Sequence, residues 1–148
     1  MSQPYQHDPL IQSSQFAHND NGGGSDNRQE ERIYRAFNMA NRRQTKIMLY
    51  NMQGFVMGMP SYTHYVDAIC VDPQEIWIVF STGVFRCVGE YLSIDILVLL
   101  QDDRLRSLHC FHSAMFDMPE DGSPIIHEIQ RYSLQDYRQK ALNEQAQR

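Results

Sequence analysis

A mainly β fold is predicted by residues 44–102: a small, strongly bent five-stranded antiparallel barrel, preceded by an N-terminal helix and followed by a C-terminal extension of a hairpin plus a helix. Three observations predict it. The apolar residues of this stretch come in short runs rich in Ile, Val, Phe and Tyr, which is how strands are written. Turn-forming clusters at Asn51-Met52-Gln53-Gly54, Asp72-Pro73 and Ser81-Thr82-Gly83 punctuate those runs. The 148-residue length suits one domain with a real core, plus tails.

Residues 1–29 are dominated by Gln, Ser, Asn, Asp and Gly and culminate in Asn21-Gly22-Gly23-Gly24-Ser25. They hold too few apolar groups to offset the entropy of ordering them, so a disordered arm is expected. Asp26 and Asn27 can cap orphan amides, with Gln29 and Glu30 three residues on, and a helix is expected to start near Arg28. Ile33, Phe37 and Ala40 form its apolar stripe, while Arg32, Arg35, Arg42 and Arg43 point elsewhere.

From Thr45 the pattern alternates, with Ile47 and Leu49 set against Lys46 and Met48, which gives a first strand ending in the turn at Asn51–Gly54. A second strand starts at residues 55–59 and continues past Pro60 to Val71, with Pro60 at an edge or bulge because it has no amide hydrogen to give. Residues 76–80, 84–91 and 93–100 supply the third, fourth and fifth strands. Residues 105–116 read equally as helix or strand. The turn Pro119-Glu120-Asp121-Gly122-Ser123-Pro124 and the strand-like 125–129 favour an added hairpin. Ser133, with Asp136 three residues on, caps a last helix with Leu134, Tyr137 and Ala141 as its stripe, fraying beyond Leu142. The expected organisation is an arm over 1–29, a barrel domain with its helix over 30–102, and an extension over 103–148 packed on the barrel.

A helix followed by five strands, with Ile47, Leu49 and Asn51 closing the first strand and Gly58 partway into a bent second one, resembles the Sm-like family, and within it the Hfq branch of bacterial RNA chaperones. The family's second signature would fall on residues 86–96, and Arg42-Arg43 falls near the arginines of the Hfq outer rim. The resemblance implies a ring closed by pairing the fourth and fifth strands of neighbouring subunits, with RNA bound at the rim and at a face. The basic pore motif of the Hfq branch would fall on Gly89-Glu90-Tyr91, which offers an acid and no base.

The net charge of −5 argues against a surface coated for nucleic acid or anionic membrane. Only residues 30–43 are basic, with four arginines against two glutamates. The three cysteines, Cys70, Cys87 and Cys110, form no Cys-x-x-Cys pair. An odd count with no apolar leader and no run near the roughly 20 residues of a membrane span predicts reduced thiols and a cytoplasmic location.

Catalysis has little to stand on. His109-Cys110-x-His112 offers two imidazoles and a thiol, but on a strand the histidines face opposite sides and a closed zinc site wants about four ligands. Cys70 and Cys87 sit among apolar residues rather than beside a base. No catalytic residue, metal or cofactor is therefore expected. The expected function is non-enzymatic RNA binding by a homo-oligomer through a rim of Arg32, Arg35, Arg42, Arg43 and Lys46. A face of Tyr50, Asn51, Gln53, Phe55 and Tyr91 would add to it by stacking bases. The rim arginines can equally pair with Glu30, Glu31 or acids of a neighbour. The alternative function is an acidic β-rich adaptor or inhibitor that binds a protein partner and no nucleic acid.

Overall fold

The longest alternating runs form the most regular part of the molecule. The computed structural model describes residues 32–147, so the arm, the helix start and its capping residues lie outside the described residues. From Tyr34 onward the chain makes one unit with eight strands in two four-stranded sheets. β1 (Phe37–Met39), β2 (Met48–Tyr50), β3 (Val56–Gly58) and β7 (Leu105–His109) make the first sheet, in the order β1-β7-β2-β3. β4 (Tyr65–Asp72), β5 (Glu75–Phe80), β6 (Gly83–Glu90) and β8 (Ile125–Tyr132) make the second, in the order β4-β5-β6-β8. α1 (Ile94–Gln101) and α2 (Leu134–Ala146) complete the chain.

The second sheet is antiparallel throughout. Two tight turns set its register. Asp72 faces Glu75 across Pro73-Gln74, and the Asp72 carboxylate accepts from the Gln74 amide at 2.7 Å. Phe80 faces Gly83 across Ser81-Thr82. Alternation then sends Ile76, Ile78, Phe80, Phe85 and Cys87 into the core and leaves Trp77 and Arg86, directly paired, on the other face. Where β6 shifts register against β8, Gly89 lies so close to Ile125 that a Cβ would sit 1.8 Å from the Ile125 carbonyl oxygen.

The first sheet is assembled differently. β2 runs parallel to β7, and β1 pairs β7 antiparallel. β3, the β4–β6 strands of the second sheet and α1 lie in the long crossover that a parallel pair requires. Buried phenols tie the parts together. The Tyr34 hydroxyl donates to the His109 carbonyl (2.5 Å) and accepts from the Ile126 amide (2.9 Å), and Tyr62 donates to the Leu105 carbonyl (2.7 Å). Ile47, Leu49, Leu105 and Leu108 join the inward residues of the second sheet and Leu92, Ile96 and Leu100 in one buried cluster.

Several expectations are corrected. There is no closed five-stranded barrel; the strands divide between two sheets. Among the described residues, 32–43 hold no helix. Tyr34, Ala36 and Ala40 are buried at even positions while Arg35, Met39 and Asn41 are exposed, a period of two that the 33/37/40 spacing masked. The expected second strand breaks at Pro60, whose carbonyl accepts from Ile47, and a 3-10 turn at Tyr62–His64 separates β3 from β4.

The expected fifth strand is the helix α1. Ser93 caps it by accepting from the Asp95 amide, and Ile96 and Leu100, four apart, are its buried pair. Its end is a Schellman closure, with Arg104 N–H on the Leu99 carbonyl and Asp103 N–H on that of Leu100. The left-handed position is Asp103 (φ 57°) rather than glycine, so the usual stop signal was missing. Ring closure through a fifth strand at 93–100 therefore lacks that strand. The C-terminal hairpin is replaced too: β7 and β8 belong to different sheets, and the chain just after β7 meets β8 where Cys110 bridges Ile126 and Phe111 N–H donates to the Ile126 carbonyl. Ser133 caps α2 by accepting from the Asp136 amide at 3.0 Å, and the helix continues past Leu142 to Ala146.

Candidate functional site

The β1–β2 connection carries Arg42, Arg43 and Lys46, all exposed. Its path is set by backbone bonds to the α1–β7 connection: Ala40 N–H to the Arg104 carbonyl at 2.8 Å, and Gln44 N–H to the Asp103 carbonyl at 2.7 Å. The Arg104 guanidinium returns the link through Nε to the Ala40 carbonyl at 3.1 Å. Two loops distant in sequence thus lie side by side, so Arg104 joins Arg42, Arg43 and Lys46 there, and the exposed Arg106 follows as the second residue of β7. The acids in the same loops are Asp102 and Asp103.

Among the described residues, none of Arg35, Arg42, Arg43, Lys46 and Arg106 pairs with a carboxylate. Arg35 is exposed between buried Tyr34 and Ala36, and Arg32 is exposed at the start of the described chain. Sequence reading named Arg32, Arg35, Arg42, Arg43 and Lys46, of which the first two precede β1 and the last three follow it, and missed Arg104, because only the fold brings residues 103–104 beside 40–44.

The expected stacking face is divided. Tyr50 is already stacked on His109, with centroids 4.4 Å apart and planes 6° from parallel. The Asn51 carboxamide oxygen accepts from the Gln53 and Phe55 amides at 3.0 Å each, and Gly54 turns the chain with φ 82°. This leaves Gln53 exposed and Phe55 at 70 % exposure at the tip. Tyr91 is exposed in a left-handed conformation (φ 56°) at the end of β6, in the other sheet. Beside it, Glu90 pairs with His127 at 2.7 Å. Only Phe55 therefore offers a free aromatic face at the β2–β3 turn.

On the first sheet, Asn38, Ser107 and His109 form a triangle. Asn38 Nδ2 lies 3.1 Å from Ser107 Oγ and 3.2 Å from His109 Nε2, and Ser107 Oγ lies 3.0 Å from that same nitrogen. A serine beside an imidazole invites a nucleophile reading. However, Ser107 is 5 % exposed, and the Asn38 amide occupies the lone pair that a general base would use. Burial holds the His109 pKa below its ordinary value, which favours a neutral ring. The triangle is a structural clasp between β1 and β7.

The thiols lie outside any activating setting. Burial pushes Cys87 up to about 12 and Cys110 up to about 11. His112 accepts from the Ala114 amide through Nδ1. Among the described residues, no three His, Cys, Asp or Glu side chains converge as a metal site.

A second feature escaped the sequence reading. Trp77, 6 % exposed, lies under α2 on the outer face of the second sheet. Its indole N–H donates to Glu75, which also accepts from Arg86 Nε at 2.9 Å. Arg86 and the Trp77 donor together hold the Glu75 carboxyl below its usual range. Tyr132 and Tyr137 stand 5.4 Å from the indole and the Lys140 ammonium 4.7 Å above it. Ile69, Val71, Trp77, Tyr137, Lys140 and Glu144 line a cleft of about 360 Å³ between β4 and α2. Alternation could have flagged Trp77 as outward-facing; its cover by a helix 57 residues later could not be read. No family model, curated protein or solved structure matched this chain. Among the described residues, no helix is long and apolar enough to cross a membrane.

Proposed function

We propose that the protein is a non-enzymatic RNA-binding protein whose contact surface is the pair of loops carrying Arg42, Arg43, Lys46 and Arg104, with Arg106 just inside β7. The observation that carries this reading is the gathering of four cations against two acids on adjacent loops, with exposed Arg106 just inside β7, in a chain whose net charge is −5. Uncompensated cations repel one another, and a polyanion relieves that repulsion while releasing its own counterions. Arginine forks suit phosphate oxygens.

Single strands are favoured by the exposed Phe55 ring at the β2–β3 turn, since unpaired bases stack on aromatic faces. Lys46 and Asn51 are five residues apart along β2 and its flanks, roughly 17 Å at about 3.3 Å per residue. A base on Phe55 and phosphates on the arginines would therefore belong to different nucleotides of one extended strand. Assembly of several copies would multiply a patch of this modest size by avidity. Fluorescence anisotropy with a labelled single-stranded RNA at low salt tests the reading. The full chain should bind saturably, the charge reversal Arg42→Glu with Arg43→Glu should lose at least tenfold, and equal binding by the two proteins would refute it.

A further inference from the structure

Among the described residues the second sheet ends on β4, which pairs with β5 on one side and has no strand partner on the other, with α1 packed nearby. An eight-residue edge normally invites pairing unless it is blunted. Two register shifts, between Tyr65 and Asp67 and between Cys70 and Asp72, bracket a regular stretch of the ladder at 67–70. Along and beside it Val66, Ile69 and Val71 are exposed, at 62 %, 41 % and 56 %. Ile69 sits opposite Trp77 in the register, and Ile69 and Val71 form the open wall of the Trp77 cleft.

The charge around this edge is one-sided. Asp67, Asp72 and Glu144 have no cation partner among the described residues. Asp67 and Asp72 bond only to nearby backbone amides, Ala68 and Gln74. Glu75, by contrast, is held by Arg86. Lys140 lies over the indole, where it shields the ring rather than the strand edge. A second copy of this chain would bring a second Asp67 and Asp72 to the same edge, and like charges facing across a strand pair are destabilising. A partner strand with alternating cationic and apolar side chains meets the opposite situation.

We infer that β4 is a docking edge for an extended basic-apolar segment of a partner protein, which adds a strand beside 67–70 and places one apolar or aromatic side chain in the Trp77 cleft. Main-chain ladder bonds would supply affinity, and the cleft and the three carboxylates would supply specificity. At about 360 Å³ the cleft lies at the small end of ligand-site volumes, which run from about 300 to about 1,000 Å³, and it has room for one large side chain of an added strand. This surface is independent of the arginine loops on the first sheet.

The chain's single tryptophan lies in the cleft, so its emission reports occupancy without a label. The full-length protein is titrated with a synthetic heptapeptide alternating Lys with Val and Phe, with the same peptide carrying Glu for Lys, and with one carrying a central Pro. A saturable shift in Trp77 emission with the Lys peptide is expected, at least tenfold weaker with the Glu and Pro peptides. The exposed substitution Val71→Lys should weaken the Lys peptide by at least tenfold while leaving the far-ultraviolet circular dichroism unchanged. No emission shift, an equal response to the Glu or Pro peptide, or an undiminished response in Val71→Lys overturns the inference. So does a doubled mass by light scattering that Val71→Lys abolishes, since the edge would then serve self-pairing.

Discussion

The two sheets are built on different principles. In the second, strands of six to eight residues are joined largely by tight turns, and backbone ladders do most of the holding. In the first, strands of three to five residues are clasped by side chains: Tyr34 to His109 and Ile126, Tyr62 to Leu105, and Asn38 to Ser107 and His109. A sheet of short strands leaves much of its chain in connections, and the proposed RNA-binding loops are two of these. Among the described residues, the longer sheet presents instead the edge of β4, which has no strand partner there. The difference teaches that the irregular half supplies the cationic surface and the regular half an acidic, apolar one.

The largest effect should come from breaking the regular sheet at its tightest approach. Gly89→Ala places a Cβ 1.8 Å from the Ile125 carbonyl oxygen, and backbone atoms cannot yield as a flexible side chain does. A loss of about 3 kcal/mol or more is expected, read as a lower midpoint in urea unfolding. A shift in midpoint of under 0.5 kcal/mol equivalent would mean that β6 and β8 are less closely apposed than described.

Next comes the clasp. Tyr34→Phe keeps the ring, which packs edge-on to Phe111 and Phe116, but leaves the Ile126 amide and the His109 carbonyl without the hydroxyl. Each buried group left unsatisfied costs about 1–3 kcal/mol. Hydrogen exchange should accelerate most at Ile126 and in β7, and uniform acceleration across both sheets would deny the hydroxyl a specific clasping role.

A smaller effect follows from pH. Burial lowers the His109 pKa below 6.5, so in the window between the folded and unfolded values the unfolded chain binds more protons. Stability is therefore complete above about pH 6.5 and declines as pH falls towards the folded value. His109→Gln should flatten that decline, as measured by thermal unfolding between pH 7 and pH 5. A decline of the same steepness in the variant would place its source elsewhere.

The same contrast decides what could be read from residues alone. The β4, β5 and β6 meander, its turns at Asp72 and Ser81, and the Ser133 cap were legible because period-two alternation, tight turns and capping are local. The first sheet was not, because a three-residue strand is too short to show a period and β1 and β2 both depend on β7, more than fifty residues away. Residues 93–100 misled for another reason: Ile, Val and Leu fill nearly every position of α1, so neither period stands out. The basic loops were half visible, since Arg42-Arg43 is a sequence feature whereas Arg104 joins it only through the Ala40 and Gln44 backbone bonds. The Trp77 cleft needed α2 to be folded over β5 before it existed.

The central claim is that the loop cations neutralise RNA phosphates, and salt dependence tests it most directly. For single strands the slope of log K against log salt is about −0.7 per neutralised phosphate. Replacing both Arg42 and Arg43 with Ala, at exposed positions, should make the slope shallower by about 1.4 and weaken binding for RNAs of different sequence alike. An unchanged slope and unchanged affinity in the double variant would contradict the account.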